Sequence, residues 1–297
     1  MRVAAVDLGT NTTRLLVADV GDGALDELHR ETRITRLGEG VDARRRLLPV
    51  PIARVRNALS DYRRIAEHLG AERVLAVGTS AIRDAENGEA FLGEIEWSYG
   101  FATHVATGDE EAALTKRGVA PGAGTLVADL GGGSTELVLD DFHTSIDAGS
   151  VRFTERFAED VAAIDAATRE LLPDLQPQRA IGVAGTVTTL AALDLGLEQY
   201  DRDRVHGHRL TRAAAHEQRD RLASLTVDER RALPSMEPER APVIVAGAAI
   251  LAAILDRYAL GEIEVSEHDI LDGIAYVAAE LPATPEGEVP PGAFTCC

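Results

Sequence analysis

The stretch Asp7-Leu8-Gly9-Thr10-Asn11-Thr12-Thr13 occurs a second time, in altered form, as Asp129-Leu130-Gly131-Gly132-Gly133-Ser134-Thr135. A short, mostly apolar run precedes each copy, at residues 3–6 and 125–128, and a second apolar run follows each. Such runs are typical of buried strands, so each copy is predicted to be a strand, a tight turn and a second strand. The repetition indicates that two halves of the chain share one plan.

Both turns have the composition of a phosphate-binding loop. Glycine lets the backbone turn sharply and aim successive N–H groups at an anion. The carboxylates of Asp7 and Asp129 would repel that anion unless a divalent cation lay between them, and Mg²⁺ is commonly held by one or two carboxylates plus phosphate oxygens. A single hairpin of this composition is more often an ordinary strand connection that binds no ligand. Two matched copies favour a phosphate-handling enzyme that uses Mg²⁺, with Mn²⁺ able to replace it.

The composition excludes several classes of protein. The chain has 297 residues, 45% of them hydrophobic, which suits two medium-sized globular domains. A net charge of −19 argues against a nucleic-acid polymer as partner, although local arginine clusters such as residues 44–46 could bind a smaller anion. No apolar run of about eighteen residues or more is present, and no signal peptide is recognisable, so we expect no membrane association and a cytoplasmic location. The two cysteines, Cys296 and Cys297, are expected to be exposed thiols.

Strand-like and helix-like segments alternate along both halves, which predicts an α/β fold. A glycine-rich stretch at residues 118–124 separates the two copies of the repeat. We therefore expect one domain over residues 1–120, a second over 121–281 and a flexible tail over 282–297. The last helix, from about residue 269, could pack back on the first domain.

Five short motifs stand in order along the chain, at residues 7–11, 77–83, 108–112, 129–136 and 184–186. Together they are similar to those of the exopolyphosphatase and guanosine pentaphosphate phosphohydrolase family. The sequence resembles that family from its start to about Leu281, and the family lies within the actin-like ATPase superfamily. The resemblance implies two actin-like (ribonuclease H-like) α/β domains with a phosphate-binding cleft between them.

The resemblance also implies roles for individual residues. Glu111 matches the catalytic glutamate that acts as general base on the attacking water. Asp129 would hold the Mg²⁺, assisted by Glu136 and Asp7, and Arg83 would clamp a phosphate oxygen. The remaining matched positions would bind phosphate: Gly9, Asn11, Gly131, Gly132, Gly133, Ser134, Gly185 and Thr186.

Ordinary structural roles compete with several of these assignments. Glu111 follows Asp109 and Glu110 in a predicted first helical turn, where acidic residues commonly complement the helix dipole. Glu136 could be a solvent-facing strand residue, and Arg83 could be a solvated side chain. His206 and His208 flank a glycine, but no acidic or cysteine partner stands at zinc-like spacing, so a loop that contacts phosphate or solvent is favoured there.

The favoured function is an exopolyphosphatase that releases orthophosphate from the ends of inorganic polyphosphate. Longer family members continue into a further helical domain that this sequence does not show, so short chains are the expected substrates. Hydrolysis of pppGpp is the close alternative. A kinase of the same superfamily and a non-catalytic sensor of polyphosphate or alarmone are further alternatives, and a homodimer is a base-rate expectation.

Overall fold

The structure is a computed structural model that describes residues 1–282, so the tail predicted from residue 282 lies, apart from Pro282, outside the described residues. The chain divides into two compact units. Among the described residues, unit 1 comprises Met1–Gly118 and residues 270–282, and unit 2 comprises Val119–Asp269. No helix in the described part of the chain is long and apolar enough to cross a membrane.

Unit 1 is built on a five-stranded sheet of order β3-β2-β1-β4-β5. The first three strands form an antiparallel meander, and β4 and β5 run parallel to β1. The strands are β1 (Arg2–Leu8), β2 (Thr12–Gly21), β3 (Ala24–Ile34), β4 (Arg73–Gly78) and β5 (Ala102–Val105). The helices are α1 (Val41–Arg44), α2 (Pro49–Leu69), α3 (Ser80–Asp84), α4 (Gly88–Tyr99), α5 (Gly108–Val119) and, from the end of the chain, α13 (Ile270–Glu280).

Strand β1 is buried on both faces, which explains why its sequence is apolar without alternation. Ala4 and Val6 face a core that includes residues of α2 and α4. Val3 and Ala5 face a second core that includes residues of α13. The last helix described therefore covers one face of the unit 1 sheet.

Unit 2 repeats this plan on a six-stranded sheet of order β10-β11-β9-β6-β7-β8. Its strands are β6 (Thr125–Leu130), β7 (Thr135–Leu139), β8 (Phe142–Ile146), β9 (Arg179–Val183), β10 (Arg209–Thr211) and β11 (Glu262–Val265). Its helices are α6 (Ser150–Phe157), α7 (Val161–Leu171), α8 (Ala184–Asp194), α9 (Arg202–Val205), α10 (Arg212–Ser224), α11 (Val227–Arg231) and α12 (Ile244–Arg257). Helix α12 is apolar all round and is buried from Ile244 to Leu255 in the unit 2 core.

The two units share the register of their first hairpins. Asp7 pairs with Arg14 across β1 and β2, and Asp129 pairs with Glu136 across β6 and β7. In each unit an antiparallel three-strand meander is extended, on the side of its first strand, by two strands parallel to that strand, and in unit 2 the antiparallel β10 follows them. The predicted fold class, two related α/β domains of the actin-like type, is confirmed.

Candidate active site

The two repeated turns close in the same way. The N–H of Gly9 donates to the carbonyl of Thr12 at 2.9 Å, and the N–H of Gly131 donates to the carbonyl of Ser134 at 3.0 Å. A Cβ at either glycine would lie 2.9 Å from that same carbonyl oxygen, closer than real Cβ atoms come. Glycine is therefore required at both positions by close approach of the backbone.

A later segment of each unit binds the carbonyl groups of its turn. In unit 1, the carbonyl of Thr10 accepts from the Gly38 N–H at 2.8 Å, and the carbonyl of Asn11 accepts from the Thr35 and Arg36 N–H groups at 3.0 and 2.9 Å. In unit 2, the N–H groups at the start of α6 bind the turn in a corresponding way. Because the two ends of a planar trans peptide point in opposite directions, N–H groups of both turns face away from these segments, as binding of an anion requires.

The two repeated aspartates have different neighbours. Asp7 and Arg14 form an ion pair, in which Arg14 Nε donates to Asp7 Oδ2 at 2.9 Å. Asp129 instead lies opposite Glu136 on the adjacent strand, and the two residues are only 6% and 4% exposed. Ser145 Oγ donates to Glu136 Oε1 at 2.8 Å. Glu136 is therefore buried, and the alternative of a solvent-facing strand residue is wrong.

Two buried carboxylates at directly opposed positions repel one another, so a cation would stabilise the pair. The side chains of Asp129 and Glu136 supply hard oxygen ligands of the kind that Mg²⁺ and Mn²⁺ prefer. In the described part of the chain, no group of three or more histidine, cysteine, aspartate or glutamate side chains could hold a metal. A site of two carboxylates, completed by water and phosphate oxygens, fits this donor set.

Asn11 lies in the unit 1 turn with its side-chain amide buried. Neither Oδ1 nor Nδ2 has a hydrogen-bond partner among the described residues, although Asn11 is only 6% exposed. An unsatisfied buried amide costs free energy, so such groups commonly mark a ligand site. This observation accords with the phosphate-binding role that the sequence predicts for Asn11.

The structure distinguishes Glu111 from its neighbour Glu110. Glu110 and Thr107 exchange hydrogen bonds at the start of α5, and the Thr107 N–H holds the pKa of the Glu110 carboxyl below its ordinary value. Glu111 is 4% exposed and forms an ion pair with Arg83. Glu110 thus hydrogen-bonds the backbone at the N-terminus of α5, whereas Glu111 is a buried carboxylate with a guanidinium beside it.

Arg83 is held by two acceptors. Its Nη1 donates to the carbonyl of Ala106 at 2.9 Å and also to Glu111. Strands β1, β4 and β5 run parallel, and the Gly9 turn, Arg83 and Glu111 follow them in turn, so all three lie beyond the same edge of the unit 1 sheet. Arg83 is paired, and the alternative of a purely solvated side chain is wrong.

Gly185 and Thr186 lie in the first turn of α8, directly after β9. Strand β9 runs parallel to β6, with Val183 opposite Asp129, so the α8 N-terminus follows the strand end beside Asp129.

The guanidinium of Arg240 packs against Gly185 and would collide with a Cβ there, and Thr186 packs against Gly247 of α12. Arg240 Nε is buried without a hydrogen-bond partner among the described residues. No sequence motif pointed to Arg240, because 55 positions separate it from Gly185.

The histidines of the segment Val205 to Arg209 contact other residues of unit 2. The His206 ring contacts the His268 ring, and His206 Nδ1 accepts from the Glu267 N–H at 3.2 Å. His208 Nε2 lies 2.8 Å from a carboxylate oxygen of Asp194. Both histidines are thus engaged by unit 2 residues that have no predicted part in the site.

Similarity to known proteins extends over most of the chain. The family model described as the Ppx/GppA phosphatase family matches residues 16–280. Exopolyphosphatase 2 of Mycobacterium tuberculosis is 42% identical over 92% of this chain and 97% of its own length. Guanosine-5'-triphosphate,3'-diphosphate pyrophosphatase of Vibrio vulnificus is 30% identical over 92% of this chain but only 58% of its own length.

Two solved structures extend the comparison to the fold. The Aquifex aeolicus member of the Ppx/GppA family superposes with a TM-score of 0.78 at 30% identity, covering 95% of this chain and 99% of that one. An exopolyphosphatase from Cytophaga hutchinsonii superposes with a TM-score of 0.86 at 24% identity, covering 95% and 99%. The second likeness concerns the fold alone.

Proposed function

Because the chain belongs to the Ppx/GppA phosphatase family, we propose that it is an exopolyphosphatase that releases orthophosphate from the ends of inorganic polyphosphate. The family resemblance predicted from the motifs is confirmed, and so is the prediction of a phosphoanhydride hydrolase. Identity of 42% over nearly the full length of Exopolyphosphatase 2 supports polyphosphate as the substrate. The observation that carries the proposal is the pairing of buried Glu111 with Arg83, since a carboxylate and a guanidinium side by side suit a base and a phosphate ligand.

In the proposed reaction, Glu111 accepts a proton from the water that attacks the terminal phosphorus. Arg83, which already lies against Glu111, binds an oxygen of the phosphoryl group, and guanidinium groups suit that contact well. In each unit, the N–H groups of the glycine turn are the proposed ligands of phosphate oxygens. Phosphoanhydride hydrolysis needs chiefly alignment and stabilisation of charge, which these groups supply.

Asp129 and Glu136 are the residues that would hold Mg²⁺ or Mn²⁺. When bound there, the ion would neutralise negative charge on the phosphate oxygens. Asp7 would be a weaker contributor, because Arg14 already balances its charge.

Hydrolysis of pppGpp is the second candidate. It is favoured by the relatives named guanosine-5'-triphosphate,3'-diphosphate pyrophosphatase, which match this chain at about 30% identity. We would measure orthophosphate release from polyphosphates of defined lengths and from pppGpp in parallel, at fixed free Mg²⁺. Release from polyphosphate is expected to dominate, and a rate that falls with chain length would support the short-chain preference. A higher kcat/KM on pppGpp would reassign the function, and no release from either would bring back the kinase and sensor alternatives.

The base assignment can be tested with a matched pair of neighbours, Glu111→Gln and Glu110→Gln. Loss of a general base typically lowers kcat by about 10²- to 10⁴-fold, so the first variant should lose at least about 100-fold. The second should retain activity, because the backbone N–H of residue 110 still donates to Thr107 Oγ1 and a glutamine side chain can still accept from the Thr107 N–H. A larger loss of kcat in Glu110→Gln than in Glu111→Gln would contradict the assignment.

A further inference from the structure

The first residues of α6 contact all three glycines of the unit 2 turn. The Ser150 N–H donates to the carbonyl of Gly131 at 3.1 Å, and the Val151 N–H donates to the carbonyl of Gly132 at 2.8 Å. The third carbonyl, that of Gly133, accepts from a side chain, Arg152 Nε, at 2.6 Å. The segment that follows β8 therefore binds every carbonyl of the triple glycine.

These contacts determine the direction of the intervening peptides. When the carbonyls of residues 131, 132 and 133 point toward α6, planarity turns the N–H groups of Gly132, Gly133 and Ser134 the other way. Among the described residues, none of these three N–H groups donates to a backbone carbonyl. Three consecutive N–H groups are thus turned outward together, and a glycine triplet has no side chains to hold that conformation by itself.

Arg152 is held as firmly as a core residue. Its side chain is 7% exposed, its N–H also donates to the carbonyl of Gly132 at 3.1 Å, and its guanidinium lies 3.6 Å from Asp147. The next residue, Phe153, is buried in the unit 2 core and packs edge-on against Phe157. Gly149, just before α6, is so close to Gly132 and Gly133 that a Cβ would collide with their backbone.

Unit 1 provides an internal comparison. Its turn carbonyls are bound by backbone N–H groups, from Thr35, Arg36 and Gly38. The unit 2 turn has more glycine, and in addition one of its carbonyls accepts a hydrogen bond from a charged side chain, that of Arg152. The added contact thus occurs in the unit whose turn is intrinsically the more flexible.

We propose that Arg152 is a positioning residue, which fixes the Gly131–Ser134 turn in its phosphate-binding conformation through the carbonyl of Gly133. The inference rests on the proposed function in so far as that turn binds substrate phosphate. Arg152 donates to the carbonyl side of the turn, so it acts on phosphate through the backbone and through the positive potential of a buried guanidinium. A hydrogen bond to a charged donor is among the stronger kinds in proteins.

The test compares Arg152→Gln and Arg152→Lys with the wild type by two readouts. One is KM and kcat on polyphosphate, and the other is the dissociation constant of inorganic phosphate, measured by calorimetry at fixed free Mg²⁺. We expect Arg152→Gln to raise KM and to weaken phosphate binding by about tenfold or more, with a smaller change in kcat. Arg152→Lys, which keeps the charge and a donor, should give a KM and a phosphate affinity between those of wild type and Arg152→Gln. It becomes the only test variant if Arg152→Gln does not fold.

Arg230→Gln is the matched control, because Arg230 is another deeply buried arginine of unit 2 that donates to backbone carbonyls. It is 0% exposed and binds the carbonyls of Leu222 and Leu225, which lie outside the glycine turn. It should lower the melting temperature while leaving KM and phosphate affinity within about twofold of wild type. Equal effects of Arg230→Gln and Arg152→Gln on phosphate affinity, or an unchanged affinity in Arg152→Gln, would overturn the proposal.

The two readouts also separate this proposal from the proposed function. If the wild type binds inorganic phosphate but does not hydrolyse polyphosphate, the function fails and the calorimetric comparison still decides the role of Arg152. If the wild type binds no inorganic phosphate, the turn is not a phosphate site and the role assigned to Arg152 is wrong.

Discussion

At the scale of single residues, the two copies of the repeat differ most at the position opposite the aspartate. Arg14 balances Asp7, whereas Glu136 adds a second carboxylate beside Asp129. An arginine at this position forms an ion pair with Asp7 through Oδ2 of the carboxylate. A glutamate makes the same position in unit 2 a candidate cation site, so one backbone plan supports two different electrostatic roles.

This difference leads to a prediction about metal dependence. Asp129→Asn and Glu136→Gln should each raise the Mg²⁺ concentration for half-maximal activity by at least about tenfold, because each removes an anionic ligand. Added Mg²⁺ should raise the melting temperature of the wild type more than that of either variant, because each variant has lost one carboxylate ligand. Differential scanning fluorimetry over a Mg²⁺ titration measures both the intrinsic stability and the stabilisation by metal.

Asp7→Asn is the control at the equivalent position of unit 1. It should lower the melting temperature, since it leaves the partly buried Arg14 without its counter-charge. It should change the Mg²⁺ requirement less than the unit 2 variants do. If Asp7→Asn has the largest effect on the Mg²⁺ titration, the metal assignment must move to unit 1.

At the scale of secondary-structure elements, α13 contacts the helix that carries Glu111. Gly273 of α13 lies so close to Leu114 of α5 that a Cβ would collide with the Leu114 carbonyl oxygen. Both residues belong to unit 1, and Glu111 lies one turn before Leu114 on α5. The absence of a side chain at Gly273 therefore sets how closely the two helices approach.

We predict that Gly273→Ala destabilises the protein by about 1–3 kcal/mol, the usual cost of overpacking a close contact. It should also lower kcat, because α5 must shift and Glu111 shifts with it. Gly93→Ala is the matched helical control, since Gly93 lies in α4 and a Cβ at that position would meet nothing within 4 Å. That variant should gain up to about 1 kcal/mol from helix propensity, with kcat unchanged. Urea unfolding and steady-state kinetics measure both effects, and a stabilised Gly273→Ala would contradict the packing argument.

Prediction from sequence succeeded for elements with a local signal and failed where the signal was not local. The apolar runs around both repeats predicted the β1–β2 and β6–β7 hairpins, which the structure confirms. Strands β3 and β8 were missed because both are only partly buried and largely polar, so neither has an apolar run. The segments that bind the turn carbonyls follow these two strands, and the sequence indicates a helix at Arg152 but not its contact with the turn. Its role depends on contact with a turn that lies 19 positions away in sequence.

At the scale of the whole molecule, arginine side chains lower the pKa values of several of the carboxyls that contribute to the net charge of −19. A hydrogen bond from Arg230 holds the pKa of Glu159 below its ordinary value of 4.5. Arginine side chains have the same effect on the pKa values of Asp19, Asp61 and Glu280. These carboxyls remain ionised in the folded protein at pH values where they begin to protonate in the unfolded chain.

The sign of the pH dependence follows from this difference. A carboxyl whose pKa is lowered by folding stabilises the folded protein above its unfolded pKa, and that stabilisation is lost as the pH falls through the folded pKa. We therefore predict that stability falls as the pH is lowered from about 4.5, the ordinary pKa of a glutamate.

Glu159→Gln should be less stable than wild type at pH 7, because the buried Arg230 loses its charged partner. The difference should shrink below about pH 4.5 as Glu159 itself protonates. Urea unfolding of both proteins between about pH 3 and 7 measures it, and a difference that stays constant across this range would show that the Glu159 charge contributes nothing to stability.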